Sequence, residues 1–185
     1  RQPRNMWADG AEDIDPETGY ATIRSNAQNR YVPNFSYGKG KIVWNFESVN
    51  MPAGTDGFLY LNGDTWHWNG AANGAGWIQI RIYPQDSTTK SSFKLHYDWT
   101  AEEFTLEESM NDIKTIELDT KVDPEDATKV NVTFSINGKV YYSGKKHNAF
   151  DLDGHKGVIF YSGFSGPFSP ECTIVFKSLD YEVYE

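Results

Sequence analysis

Apolar and polar residues alternate with a period of two along much of the chain after residue 20. In residues 77–83, three isoleucines alternate with Gln79, Arg81 and Tyr83. Such alternation is typical of antiparallel strands that bury one face and expose the other. Together with short apolar runs, it predicts strands within residues 41–49, 57–61, 77–83, 93–99, 129–143, 157–162 and 173–183.

Turn sequences divide these runs and leave little room for helix. Asn137-Gly138 interrupts residues 129–143 and predicts a tight hairpin, because both turn residues need a positive φ. Residues 1–20 contain two turn sequences and are predicted to be a largely irregular N-terminal segment. Residues 100–103 fit a helix capping box, so a short helix is expected within residues 100–110.

Many short strands, with at most one short helix, predict an all-β sandwich or barrel. No repeat or long linker divides the 185 residues, so we expect a single domain over residues 1–185. No apolar run approaches the ~20 residues of a membrane-spanning helix, and no membrane insertion is expected.

The charge of the chain argues against polyanionic partners. Its 26 acidic residues and 17 lysines and arginines give a net charge of −9, and nucleic acid or an anionic membrane would favour the opposite sign. Residues 98–126 carry much of the excess and are expected to form a solvated acidic face. The single Cys172 excludes an internal disulfide and is expected to be a buried thiol.

A loop rich in tryptophan is the first candidate binding site. Residues 64–77 place three tryptophans and a histidine among glycines and asparagines. Exposed aromatic rings on loops often mark binding, and such rings stack well on sugars. The alternative is that these rings close the edge of the fold. The candidate contact residues here are Trp66, His67 and Trp68, with Asn62 beside them.

Polar faces of two strands form the second candidate. Gln79, Arg81 and Tyr83 share one face of the predicted strand 77–83, and Lys94, His96 and Asp98 share one face of the predicted strand 93–99. If the two strands pair, these groups converge on one surface. The alternative is an ordinary solvent-facing sheet. This interpretation selects Gln79, Arg81, Tyr83 and His96 as ligand contacts.

The last third of the chain resembles the concanavalin A-like lectin and glucanase superfamily. The resemblance rests on the strand–Asn-Gly-Lys–strand unit of residues 132–140 and on the closing strands at 157–163 and 176–184. It implies a jelly roll of two curved antiparallel sheets, with ligands usually held on the concave face. The same fold serves lectins, binding modules, hydrolases and lyases.

The resemblance leaves two enzyme classes to weigh. Glycosidases of this superfamily carry Glu-x-Asp-x-Glu or a close variant, and the nearest match, residues 13–17, contains a proline in a turn-like segment. A hydrolase is therefore disfavoured. In a polysaccharide lyase, Arg81 and Gln79 would hold a uronate carboxylate while Tyr83 or His96 moved the proton. The lyase motifs Arg-x-Glu-x-Arg and Gln-x-His are missing from the sequence.

A structural calcium ion is the candidate cofactor. Asp13, Asp15 and Glu17 are oxygen ligands spaced like part of a calcium loop. The resemblance implies a calcium held between the N-terminal segment and the last strand, where Asp180 would be the matching ligand. Zinc is not expected, because one cysteine and four scattered histidines give no zinc spacing.

Together these patterns predict a concanavalin A-like β-sandwich that binds a polysaccharide or glycan without catalysis. We expect it to act outside the cytoplasm, in an extracellular, cell-surface or periplasmic location, as a monomer or as a module of a larger protein. Three alternatives stay open: a lyase acting by β-elimination on a uronate-containing glycan, a glycoside hydrolase of the same fold, and a laminin-G-like adhesion domain that uses the acidic stretch.

Overall fold

A computed structural model of the chain describes residues 6–9, 13–24, 28–31, 38–52, 57–64, 77–95, 98–147, 159–165 and 172–184. Within these residues the chain forms strands and one 3-10 turn, Met110–Asp112. The strands are β1 (Met6–Asp9), β2 (Asp13–Ile14), β3 (Ala21–Arg24), β4 (Gln28–Tyr31), β5 (Lys39–Asn50), β6 (Phe58–Asp64), β7 (Trp77–Ile82), β8 (Ser91–Leu95), β9 (Asp98–Phe104), β10 (Thr115–Asp123), β11 (Asp126–Ile136), β12 (Lys139–His147), β13 (Ile159–Ser165) and β14 (Thr173–Val183).

The strands form two seven-stranded sheets in which the described pairings are antiparallel. Sheet A has the order β1-β4-β13-β6-β7-β8-β9, and sheet B has the order β12-β11-β10-β5-β14-β3-β2. The prediction of an all-β, two-sheet antiparallel fold is confirmed. No helix in the described part of the chain is long and apolar enough to cross a membrane.

The core lies between the inner faces of the two sheets. Along β7 the three isoleucines are buried, and along β5 Ile42, Trp44 and Phe46 are buried in the same alternating way. Phe93 of sheet A and Phe134 of sheet B stack across the interior with ring centroids 5.6 Å apart. The period of two in the sequence therefore reports which face of each strand is covered.

The predicted Asn137-Gly138 hairpin joins β11 to β12, and both residues adopt the expected positive φ, 51° and 79°. The Asn137 side chain also fastens the segment that enters β10. Its Oδ1 accepts hydrogen bonds from the backbone N–H groups of Lys114 (2.7 Å) and Thr115 (3.0 Å), and its Nδ2 donates to the carbonyl of Asp112 (2.9 Å). One turn residue thus connects two successive loops at this end of the sandwich.

The prediction of one strand over residues 93–99 is wrong. These residues contribute to two strands, β8 and β9, which pair with each other so that Leu95 and Asp98 are register partners. The chain reverses between these two positions without a glycine, proline or asparagine. The usual turn signal is therefore missing, and apolar alternation alone does not reveal the reversal.

The expected helix within residues 100–110 also differs from the structure. Residues 100–104 belong to β9, because Phe104 is needed in the core, where its ring lies 5.6 Å from that of Phe134. Ser109 caps the short 3-10 turn instead. Residues 1–20 contribute the short strands β1 and β2, each at an outer edge of its sheet, where pairing to a neighbour outweighs weak local sequence preference.

Ion pairs fasten the acidic stretch to β12. Lys146, only 4% exposed, reaches across from sheet B to Glu102 of β9, with Nζ 2.5 Å from Oε1. Lys139 pairs with Glu107. Lys145 lies 2.5 Å from the buried carboxylate of Asp123. The acidic stretch is thus partly neutralised by β12, where a purely solvated face was expected.

Asn137→Gly should lower the free energy of unfolding by about 2 kcal/mol, because it keeps the backbone conformation and removes three exposed hydrogen bonds of roughly 0.5–1.5 kcal/mol each. Asn137→Ala should cost about 1–2 kcal/mol more, because alanine disfavours the positive φ. Denaturant unfolding measures both. A Gly variant as stable as the wild type would show that the side-chain bonds contribute nothing.

Asp123 should make stability depend on acid pH. The hydrogen bond from Lys145, followed by that from the Glu125 backbone N–H, holds the pKa of the Asp123 carboxyl below its usual range. The Asp123 carboxylate therefore contributes fully to the stability of the folded state above about pH 4. This contribution is lost as the pH falls through the lowered pKa. Asp123→Asn should be less stable than the wild type at neutral pH and lose less stability between pH 4 and 2 in thermal unfolding. The exposed neighbour provides the control, Glu125→Gln, which should keep the wild-type profile.

Candidate functional site

The outward face of β6, β7 and β8, in one half of sheet A, carries the candidate site. Because Ile78, Ile80 and Ile82 point into the core, Gln79 and Arg81 lie on the opposite face, where both are half-buried. β7 lies between β6 and β8 in the sheet. Each of its outward residues therefore has a neighbour on both sides.

Arg81 packs on an aromatic ring of the neighbouring strand. Its guanidinium carbon lies 5.0 Å from the ring centroid of Phe58, within the range of a cation–π contact. The Phe58 ring lies 5.0 Å from that of Tyr83 and 6.4 Å from that of Tyr60. The backbone N–H of Tyr83 donates to Ser91 Oγ at 2.8 Å. Arg81 and Tyr83 are thus gathered around one phenyl ring, and we call these four residues (Phe58, Tyr60, Arg81 and Tyr83) the aromatic cluster.

A polar row lies beside the aromatic cluster. Gln79 is the register partner of Lys94, and Arg81 is the register partner of Ser92. Side chains at directly opposed positions of antiparallel strands lie close enough to share a ligand, with Cβ atoms about 4.5–5.5 Å apart. The anticipated pairing of the two strands therefore places Gln79, Arg81 and Lys94 on one surface.

The described part of this surface carries two cations, on a chain with a net charge of −9. They are Arg81 and Lys94, and the side chain of Asp64, at the end of β6, is outside those described. Glu103 of β9, the register partner of Ser92, is the nearest described acid in the register, and it is exposed. The local field therefore favours an anionic group near Arg81 and Lys94.

The other predicted site residues are either outside the described part of the chain or on a different strand from the one expected. Trp66, His67, Trp68 and His96 lie outside the described residues. Asn62 is the register partner of Gln79 on β6, and its side chain is outside those described. Asp98 belongs to β9 rather than to the strand of Lys94, so the expected shared face of Lys94, His96 and Asp98 on a single strand is wrong.

Two of the residues proposed as calcium ligands accept hydrogen bonds from within the protein. Asp15 Oδ1 accepts the backbone N–H of Glu17 at 2.8 Å, and Asp180 Oδ2 accepts Asn45 Nδ2 at 3.0 Å. Asp13 lies on β2, which β3 separates from the strand of Asp180 by about 10 Å in all. Within the described residues, no group of three or more histidine, cysteine or acidic side chains forms a metal site.

On the outward face of sheet B, several polar groups bind one another. Tyr184 donates its hydroxyl to Asp119 Oδ1 at 2.7 Å, and burial followed by this hydrogen bond raises the pKa of Tyr184. Lys121 Nζ lies 5.9 Å from the centroid of the same ring. Glu117, which shares this face with Asp119, has Val43 and Ser135 as register partners. The Tyr184 contacts link β10 to the residue that follows β14.

The sequence alone does not single out Phe58 and Tyr60 as candidate contact residues. They belong to an apolar run, which is ambiguous between a fully buried strand and a half-buried one. Their value depends on β6 lying next to β7, and this adjacency is a property of the sheet order. The Tyr60–Arg81 register partnership is equally invisible in the sequence.

Comparison with known proteins identifies the fold. No protein-family model matches the sequence, and no curated protein matches it at a significant level. Among solved structures, the Emp46p carbohydrate recognition domain superposes with a TM-score of 0.61 at 13% identity, covering 98% of this chain and 89% of that one. The Emp47p carbohydrate recognition domain gives 0.63 at 11% identity, with coverage of 99% and 90%.

Glucanases superpose in the same way. A glycoside hydrolase family 16 endo-glucanase from Bacteroides ovatus gives a TM-score of 0.59 at 11% identity, covering 93% of this chain and 84% of that one. Identities this low carry information on the fold alone. The chain therefore has the concanavalin A-like jelly-roll fold that these carbohydrate recognition domains and glucanases share.

Proposed function

We propose that the protein is a non-catalytic carbohydrate-binding domain that holds a polysaccharide or glycan on the outward face of β6, β7 and β8, with a preference for acidic sugars. The observation that carries this proposal is the guanidinium of Arg81 held 5.0 Å from the Phe58 ring, beside Tyr83. The neighbouring strands β6 and β7 thereby present a cation and aromatic rings at one place.

The chemistry of this surface matches that of an acidic sugar. A guanidinium can bind both oxygens of a carboxylate with two parallel hydrogen bonds. The Gln79 amide both donates and accepts hydrogen bonds, as hydroxyl groups require. Aromatic rings offer apolar faces for the C–H groups of a pyranose ring. Lys94, opposite Gln79, adds a second positive charge for the same ligand.

Similar solved structures support a carbohydrate role. Two of them are carbohydrate recognition domains, and others are glucan hydrolases.

In this proposal Trp66, His67 and Trp68, with Asn62 and His96, extend the surface by stacking and hydrogen bonding. The domain spans residues 1–185 and acts outside the cytoplasm, as a monomer or as a module of a larger protein. A calcium ion near Asp13, Asp15 and Glu17 remains part of the proposal, since a metal-free form of the Emp46p domain is among the similar structures.

A polysaccharide lyase is the second candidate. It is favoured by one observation, that Tyr83 and Arg81 contact the same Phe58 ring, so a phenolic acid or base lies beside a carboxylate-binding cation. β-Elimination would remove a proton next to the uronate carboxylate and expel the glycosidic oxygen, leaving an unsaturated sugar. A hydrolase is less well supported, since the described side chains of β6, β7 and β8 lack the pair of carboxylates that it needs.

Replacing Arg81 tests the carboxylate contact. Arg81→Ala should weaken binding to alginate, pectate, hyaluronan or glucuronoxylan, whichever the wild type binds, by about tenfold or more in affinity gels or calorimetry, because a charge-assisted hydrogen-bonded pair contributes roughly 1.5–3 kcal/mol. Arg81→Lys should recover part of the loss, because it restores the charge and not the planar fork.

The control for charge is a lysine on the opposite face of the sandwich. Lys177→Ala, at an exposed position of β14, should bind like the wild type, whereas Lys94→Ala should weaken binding. If Lys94→Ala and Lys177→Ala weaken binding equally, the attraction depends on the overall charge of the protein and not on the position of Lys94. Unchanged affinity in Arg81→Ala would remove this face of sheet A as the binding site.

Replacing Tyr83 separates binding from lyase chemistry. Under the proposed function the wild type releases no unsaturated product from any uronate polymer, and Tyr83→Phe retains its affinity because the ring against Phe58 is preserved. Under the lyase alternative, ultraviolet absorbance of the unsaturated product appears with the wild type. The rate at which this absorbance appears then falls by about 100-fold or more in Tyr83→Phe, as expected for loss of a general acid or base.

A further inference from the structure

A cavity opens at one end of the sandwich, next to the aromatic cluster. Its volume is about 240 Å³, and its walls come from the end of β5, from the connection between β7 and β8, and from the 3-10 turn between β9 and β10. The residue that starts its β7–β8 wall is Pro84, which directly follows Tyr83. The cavity therefore begins one residue after Tyr83, the last residue of the aromatic cluster along the chain.

The lining combines an apolar floor with a polar rim. Met51 and Met110, both buried, provide apolar surface, and two prolines flank it. The rim carries Asp86, Ser109 and Asn111, all exposed. A pyranose ring presents apolar C–H faces and a circle of hydroxyls, and this lining offers a counterpart to both.

The internal hydrogen bonds of the rim leave its outward groups available. Asn111 Oδ1 accepts the Met51 N–H at 2.9 Å, and Ser109 Oγ accepts the Asn111 N–H at 3.3 Å. Gln85 donates to the Glu107 carbonyl at 2.6 Å, which fixes the β7–β8 connection against the 3-10 segment. Within the described residues, the carboxylate of Asp86 and the Nδ2 of Asn111 have no hydrogen-bond partner. The rim thus offers a ligand one hydrogen-bond acceptor, the Asp86 carboxylate, and one donor, Asn111 Nδ2.

The distance from Arg81 suits one extended ligand. Gln85 follows Arg81 by four residues and lies in a turn, so the two are separated by at most about 13 Å at ~3.3 Å per residue. Phe58 and Tyr83 lie between the two places. A glycan bound through its carboxylate at Arg81 can therefore run over the aromatic cluster and reach the cavity.

We propose that this cavity is a second sugar subsite, which takes a neutral, hydroxyl-bearing pyranose unit of the same glycan whose acidic unit binds at Arg81. The inference rests on the proposed function. It adds the direction in which the glycan runs, from Arg81 to the cavity, and the kind of sugar unit at each place. The carboxylate of Asp86 accepts hydroxyl hydrogen bonds and repels a second uronate. The preferred glycan therefore has a neutral sugar within reach of an acidic one.

Calorimetry with size-fractionated hyaluronan and glucuronoxylan oligosaccharides tests the subsite, because both carry neutral sugars next to glucuronate. Wild-type affinity should rise with oligosaccharide length once the chain reaches the cavity. Asp86→Ala should lose about tenfold in affinity for the long oligosaccharides, as expected for a lost charge-assisted hydrogen bond, and change little for the short ones. Asp86→Asn, which keeps one acceptor oxygen, should fall between the two.

The matched control is Glu182→Ala, an exposed acid on β14 of the opposite sheet. It removes the same charge, so long-range electrostatics alone would make both variants bind an acidic glycan slightly more tightly. A loss in Asp86→Ala with none in Glu182→Ala supports the subsite. If Asp86→Ala binds long oligosaccharides as well as or better than the wild type, the subsite is overturned and the proposed function stands. If the wild type binds alginate or pectate but neither of these glycans with a neutral sugar, the subsite is overturned and the proposed function stands. If it binds none of the four polymers, the proposed function itself fails.

Discussion

A strand of an antiparallel sandwich can bury only one of its faces, and this constraint places the candidate site. The isoleucines of β7 are committed to the core by their contact with sheet B. Gln79 and Arg81 are therefore directed outward, and the register of β6 and β8 determines what surrounds them. The site depends on no unusual backbone conformation, since period-two geometry and strand order are sufficient to assemble it.

The contacts that the structure describes for polar side chains differ between the two outward faces of the sandwich. On sheet B, Asp119 binds Tyr184 and Asp180 binds Asn45, so hydrogen-bonding capacity is consumed within the protein. On sheet A, the cation Arg81 rests on a hydrocarbon ring. A cation–π contact does not use up the N–H donors of a guanidinium, so they can still bind a carboxylate. This difference is the physical reason for placing the ligand on sheet A.

Much of the fold follows from the sequence, and the failures have physical causes. β14 is predictable from the apolar residues along its sequence. The Asn137-Gly138 hairpin is predictable because a turn dipeptide that accepts positive φ lies between two strand-like runs. The break between β8 and β9 is not, since Leu95 and Asp98 pair across a reversal that lacks turn residues. For the site, Arg81 and Gln79 follow from their strand pattern. The role of Phe58 does not, because it depends on which strand lies beside β7.

The most direct test is a map of the bound surface by backbone amide chemical shifts, recorded while an acidic oligosaccharide is added to the isotopically labelled protein. The account predicts that the largest shifts occur along Phe58–Asp64, Trp77–Ile82 and Ser91–Leu95, with small changes on β10 and β14. Shifts centred on β10 and β14, with β7 unchanged, would contradict the assignment of the ligand to the outward face of sheet A.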